Sequence, residues 1–281
     1  MRNQVQRVVV AAGVAVAAVG GTAVVVRGDV PGIALPAAVL GGERGVRLVW
    51  SDEFTGKAGA KPAASRWIIE TGTPDTGELE YNSRDNVGLD GKGNLVITAR
   101  KKASHGKKYT SARITTEGKF STTHGRITAR VKSPDGKGLW PAFWMLGADY
   151  LSNPWPDCGE IDIMERRGDH KRRAHATIHG PGYSGVGLTK QYKLQPDKKS
   201  FSKAFHTFTI DWTAQSIVWK VDGVRVHTVK RSAVPGEWVF DDPFFLVLNL
   251  AVGGPFPGSP NTKTPFPAKM LVDYVRVYQF T

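Results

Sequence analysis

A single cysteine, Cys158, occurs in 281 residues. One thiol cannot form an intrachain disulfide, so no covalent framework holds this fold. At the entry to an apolar strand, Cys158 reads as a small buried filler. An apolar period of 3.6 residues is sustained nowhere, which sets aside helical bundles, and no internal repeat points to a solenoid or propeller. Acid is also scarce: 25 Asp and Glu against 38 Lys and Arg leave a net charge of +13. The cations are scattered in short groups, Lys101-Lys102, Lys107-Lys108, Arg166-Arg167 and Lys171-Arg172-Arg173, that read as solvated turns. Without a basic periodic face, no nucleic-acid partner is expected. Attraction to anionic walls or membrane surfaces accounts for the balance better.

Charge is missing altogether from Val8 to Val26, a run built from Val, Ala, Gly and one Thr after Arg2 and Arg7. Residues 1–26 read as a signal peptide or, if uncleaved, an N-terminal membrane anchor. Gly21-Thr22-Ala23 is a poor cleavage site. Residues 27–45, small and Gly/Pro-bearing, form a linker. The globular part over 46–281 is therefore expected outside the cytoplasm, secreted unless the anchor is retained.

What is abundant is alternation. Ile127, Ala129 and Val131 alternate with Arg126, Thr128, Arg130 and Lys132, and Phe208, Ile210 and Trp212 alternate with Thr207, Thr209 and Asp211. Such a period of two marks half-buried strands. Ile217–Val221 and Val224–Val229 flank Asp222-Gly223, a hairpin signal that favours a type I′ turn. Phe244–Val252 is apolar except for Asn249, as in a strand covered on both faces, and Leu271–Phe280 supplies a closing strand. Many short strands between turns predict an all-β, two-sheet sandwich.

Gly159-Glu160-Ile161-Asp162-Ile163-Met164-Glu165 sets three carboxylates in one apolar strand. Glu160 and Asp162 share a face, and strict alternation would send Glu165 to the other. A bulge of one residue, taken here as Met164, returns Glu165 to their side. Crowded carboxylates suit a glycosidase, which needs one as nucleophile and one protonated as acid. A solvated face or a calcium site would use the same pattern. Gly159, Arg166-Arg167-Gly168 and the aromatic-rich loops nearby favour chemistry.

With that insertion, the strand resembles the family 16 glycoside hydrolases, most of all their laminarinase-type, β-1,3-glucan-cleaving branch. Trp50-Ser51-Asp52-Glu53-Phe54, Tyr81–Val87, Gly138–Gly147, Thr177–Gly185, Leu248–Gly254 and Met270–Tyr278 agree in order and content, covering roughly residues 46–281. The resemblance implies a β-jelly roll with an open substrate cleft on its concave sheet. It implies Glu160 as nucleophile, Glu165 as general acid/base and Asp162 as the carboxylate assisting the nucleophile. Trp140 and Trp144, four apart, are expected to stack on sugars, with Phe143 turned into the core. The resemblance places Asn82 and Arg84 on glycone sugars and brings His179 to the cleft. Asn249 must find partners among sugar hydroxyls, carboxylates or an internal bond. A structural calcium is implied at Glu53, Asp273 and the Gly93 carbonyl, with a salt bridge to an arginine as the other use of Asp273. No cofactor is expected for catalysis, and the partner is a polysaccharide, β-1,3-glucan, met by a monomer. The same mechanism on a β-1,3-galactan, and a non-catalytic glucan-binding module, are the rival readings.

Overall fold

The computed structural model describes residues 45–184 and 188–281. The segment 1–26, and the linker apart from Gly45, lie outside the described residues. Strands β1 to β7 are Val46–Asp52, Ile68–Glu70, Glu80–Asn82, Val87–Leu89, Leu95–Ala99, Tyr109–Ser111 and Arg113–Thr115. Strands β8 to β12 are Gly125–Lys132, Leu139–Gly147, Glu160–Glu165, Arg173–His179 and Lys190–Lys193. Strands β13 to β17 are His206–Thr213, Ser216–Val221, Val224–Lys230, Phe244–Val252 and Ala268–Phe280.

Two large antiparallel sheets form the sandwich. One runs β15-β14-β13-β8-β17-β5-β4, with β1 also paired to β17; the other runs β12-β11-β10-β9-β16-β7-β2. The inward residues of the alternating strands meet between them. Ile127, Ala129, Phe208, Ile210, Val275 and Val277 of the first sheet share one core with Phe143, Met145, Ile161, Ile178, Leu246 and Leu248 of the second. Asp222 and Gly223 both have positive φ, 50° and 80°, the geometry of the hairpin turn that their sequence favours.

A second, smaller cluster explains why β16 is apolar on both faces. Phe245 and Val247 turn away from the main core and are covered, with Leu146 and Cys158, by the loop between β9 and β10. Burial raises the Cys158 thiol pKa to about 11, which leaves it an inert filler. One basic group was misread. Arg166 is fully buried, with its guanidinium bonded to Ser133, the Pro134 carbonyl and Asp135 and lying over Phe201. Its neighbour Arg167 keeps the solvated character expected of the pair.

Candidate active site

β10 delivers the carboxylates, and its entry is shaped by Gly159. That residue has φ +78°, and a β-carbon there would lie 2.8 Å from Phe244 and Val239. Against β9, Glu160 pairs with Leu146, Asp162 with Trp144, Met164 with Phe143 and Glu165 with Ala142. Ile163 alone is skipped on this side, whereas against β11 both Ile163 and Met164 are passed over, so the two residues form the bulge and Ile163 is the one without a partner in either ladder. Both point into the core, 2% and 0% exposed. Glu160, Asp162 and Glu165 thus return to one face, as expected. The bulge breaks the ladder, and the opposite sheet helps hold it: the buried Trp219 indole donates to the Asp162 carbonyl at 2.8 Å.

Asp162 is 3% exposed between the two glutamates. Burial, then the Asp162 charge, raise the Glu160 pKa, offset in part by His179 and a hydrogen bond with Trp155. Burial, then the charges of Asp162 and Glu160, hold Glu165 well above the carboxylate range. Three adjacent negative charges are not sustained in such a place, so the cluster retains a proton, held most firmly by Glu165. His179 Nε2 lies 3.3 Å from Asp162 Oδ2 and 3.9 Å from Glu160 Oε1. Burial alone would lower the His179 pKa, but the bond to Asp162 and the two negative charges outweigh it and raise it. Donor atoms of Glu160, Asp162 and His179 lie within 4.8 Å of one another, a spacing that also suits a cation.

Both tryptophans of β9 face the carboxylates, half-buried. The Trp140 indole donates to Glu165 Oε1 at 2.9 Å, and its ring meets Phe256. Trp144 Nε1 donates to Asn249 Oδ1 at 2.7 Å, so the polar exception of β16 takes an internal partner. Phe143 is fully buried in the core. Asn82 and Arg84 do not share surroundings. Asn82 is 6% exposed at the end of β3, which pairs with β6 rather than with the catalytic sheet. Arg84 is exposed in a 3₁₀ turn over 84–86 that follows β3.

Both carboxylates implied for calcium are engaged by arginines in this structure. Arg276 donates to both Glu53 carboxylate oxygens, at 2.9 and 2.8 Å, and Arg130 binds Asp273. Gly93, φ +84°, serves the turn in which Asp90 accepts from the Lys92 and Asn94 amides. The Arg130 contact is the salt-bridge use expected of Asp273 as the other reading, and a calcium ion there would have to displace both guanidinium groups. Asp273 is the residue skipped between Val272 and Tyr274 opposite β8, which frees it from the alternation that a paired residue obeys.

Sequence reasoning missed Trp155 and His175. Trp155 is 48% exposed, hydrogen-bonds with Glu160 and sets its ring 5.9 Å from His179. Its position five residues before Glu160 was the available signal. His175 pairs with Glu165 across β11, against Phe256. Two crowded glutamates of raised proton affinity, with the indoles of Trp140, Trp144 and Trp155 beside them, are the kind of groups that cleavage of a glycosidic bond requires.

Residues 78–276 match the family model of the glycosyl hydrolases family 16. A β-glucanase of Rhodothermus marinus is 38% identical, over 83% of this chain and 85% of its own length. Among solved structures, the endo-β-1,3-glucanase of Pyrococcus furiosus is 47% identical with a TM-score of 0.80, covering 84% of this chain and 95% of its own. The laminarinase catalytic domain of Thermotoga maritima is 43% identical, also with a TM-score of 0.80, covering 84% and 99%.

Proposed function

The chain belongs to the glycosyl hydrolases of family 16, and from that membership and the cleft we propose an exported, monomeric, retaining endo-β-1,3-glucanase. Its substrates are glucans of the laminarin and curdlan type, with tolerance for mixed 1,3-1,4 linkages. Glu165, held protonated by burial and by its acidic neighbours, gives its proton to the leaving glycosidic oxygen. Glu160 attacks the anomeric carbon and forms a covalent glycosyl-enzyme. Glu165, now ionised, takes a proton from the water that releases the sugar. Asp162 and His179 fix the Glu160 carboxylate, and the Trp140 indole aims that of Glu165. Retention requires the two carboxyl groups about 5–5.5 Å apart, on the same face.

The observation that carries this reading is the bulge at Ile163, which puts Glu160, Asp162 and Glu165 side by side. The test is to incubate the purified protein with laminarin, curdlan, lichenan and a β-1,3-galactan, following product anomers by NMR. Internal cleavage of laminarin with β-anomers released first supports the proposal. Preference for the galactan moves the substrate, and α-anomers released first overturn retention. Glu160→Gln should cut turnover by about a thousandfold or more while glucan binding survives, since shape is kept and only the nucleophile is lost. Binding without hydrolysis in the unaltered protein would mark a glucan-binding module.

A further inference from the structure

Charge unused by the chemistry lies at the far end of the same face. Glu70 pairs with Arg113, Arg113 with Asn249, Asn249 with Ala142, and Ala142 with Glu165. Residues directly opposed across antiparallel strands share a face. Glu70 therefore stands in the row of Glu165, four strands away, ~19 Å at ~4.8 Å per strand. Arg113 Nε lies 3.1 Å from Glu70 Oε2, and its guanidinium sits 4.8 Å from the centre of the Trp144 ring. Glu117, in the loop after β7, accepts the Tyr150 hydroxyl at 2.7 Å. Its charge raises the Glu70 pKa further.

Two carboxylates thus meet one guanidinium. Arg113 is committed to Glu70 and to the Trp144 face, whereas the partner of Glu117 is a neutral phenol. An uncompensated negative charge remains, half-buried, where a long glucan bound across the catalytic strands would run. We infer that Glu70 and Glu117 act as a charge filter, admitting neutral glucan and turning away chains whose rings carry carboxylate or sulfate. This rests on the glucanase reading of the cleft. An anionic substituent docked near Glu117 meets repulsion only partly screened by solvent, enough for about a tenfold loss in kcat/KM. The filter lies far from the scissile bond, so the loss falls mainly on KM.

The test compares laminarin with carboxymethyl-laminarin and with aminoethyl-laminarin of matched length and substitution. The expected order at low salt is neutral and cationic substrates ahead of the anionic one by about tenfold, with the gap narrowing in about 0.5 M NaCl. In Glu117→Gln, which leaves Glu70 and Arg113 balanced, the anionic-to-neutral ratio of kcat/KM should approach one without added salt, and in Glu70→Gln/Glu117→Gln, which leaves Arg113 unpaired, it should reach or exceed one. Because each ratio is taken within one preparation, a general loss of activity does not disturb it. If the double variant does not fold, Glu117→Gln alone and the salt series on the unaltered protein decide. Equal rejection of anionic and cationic substrates would reveal a steric effect and overturn the filter, as would a ratio indifferent to both charge removal and salt. Failure to cleave neutral laminarin would overturn the glucanase reading instead, a result visible before any substituted substrate is used.

Discussion

Asp162 raises the proton affinity of both glutamates it separates. In the proposed mechanism Glu160 must be ionised to attack and Glu165 protonated to donate, so kcat/KM should follow a bell with two macroscopic limbs. Asp162→Asn removes a negative charge beside both, and both limbs should move to lower pH. A pH–rate profile checks this, and limbs that stay in place would show that burial alone sets them. The same shifts bear on stability. Glu165 has a folded pKa well above its unfolded value near 4.5. A raised carboxyl contributes stability below about pH 4.5 that is lost as pH rises through the folded pKa. Glu165→Gln escapes that loss, so its melting temperature should exceed the parent's at pH 8, with the difference shrinking towards pH 4. An advantage independent of pH would point to packing rather than ionisation.

The β10 bulge sets three carboxylates of one strand side by side. Ile163, unpaired against β9, and Met164 both enter the core, which pins the register from below. Deleting Ile163 removes the two-for-one opposition, misplaces Glu165 by about an ångström and should cost on the order of a hundredfold in kcat. Near-normal turnover in the deletion would show the bulge to be dispensable. Trp219→Phe tests the support from the opposite sheet. It keeps the ring in the core but strands the Asp162 carbonyl, so kcat should fall and the pH limbs shift while KM changes little; a loss confined to thermal stability would reduce Trp219 to packing. Elements of this kind were largely legible in the sequence. The predicted strands at 126–132, 217–221, 224–229 and 244–252 lie within or coincide with β8, β14, β15 and β16, because each carries its burial pattern in its own residues. The bulge was legible too, though not which residue is skipped, since Ile163 and Met164 are equally apolar. What escaped depends on partners distant in sequence. Glu53 and Asp273 invite a cation until Arg276 and Arg130 are brought across from other strands. Trp155 reaches Glu160 through a loop whose path no periodicity records.

At the scale of the molecule, the two signs of charge are kept apart. Arg126 and Lys220 neutralise Asp211, and Arg130 and Arg276 neutralise Asp273 and Glu53. These acids, on or beside the sheet that holds β8 and β17, are thereby neutralised, and surplus cations stand exposed on loops and sheet edges. Lys190 and Lys193 lie on β12 and Arg225 and Lys230 on β15, the terminal strands of the two sheets. Charged side chains there also discourage a second chain from pairing with an open edge. The catalytic face, by contrast, sets Glu160, Asp162 and Glu165 side by side, with Glu70 in the row of Glu165 and Arg113 as its partner. An enzyme so divided should adhere to anionic surfaces by its exterior while hydrolysing a neutral polymer in its cleft. Adsorption to a sulfated or phosphate-bearing matrix should therefore be strong at low salt and largely lost by about 0.5 M NaCl, where the screening length falls to a few ångströms. Hydrolysis of soluble laminarin should vary little over the same range, because its binding rests on ring stacking and hydrogen bonds to uncharged hydroxyls. The two measurements are made on one preparation across one salt series. Activity on laminarin that fell in step with adsorption would show that the cationic exterior takes part in holding the glucan, and would undo the separation argued here.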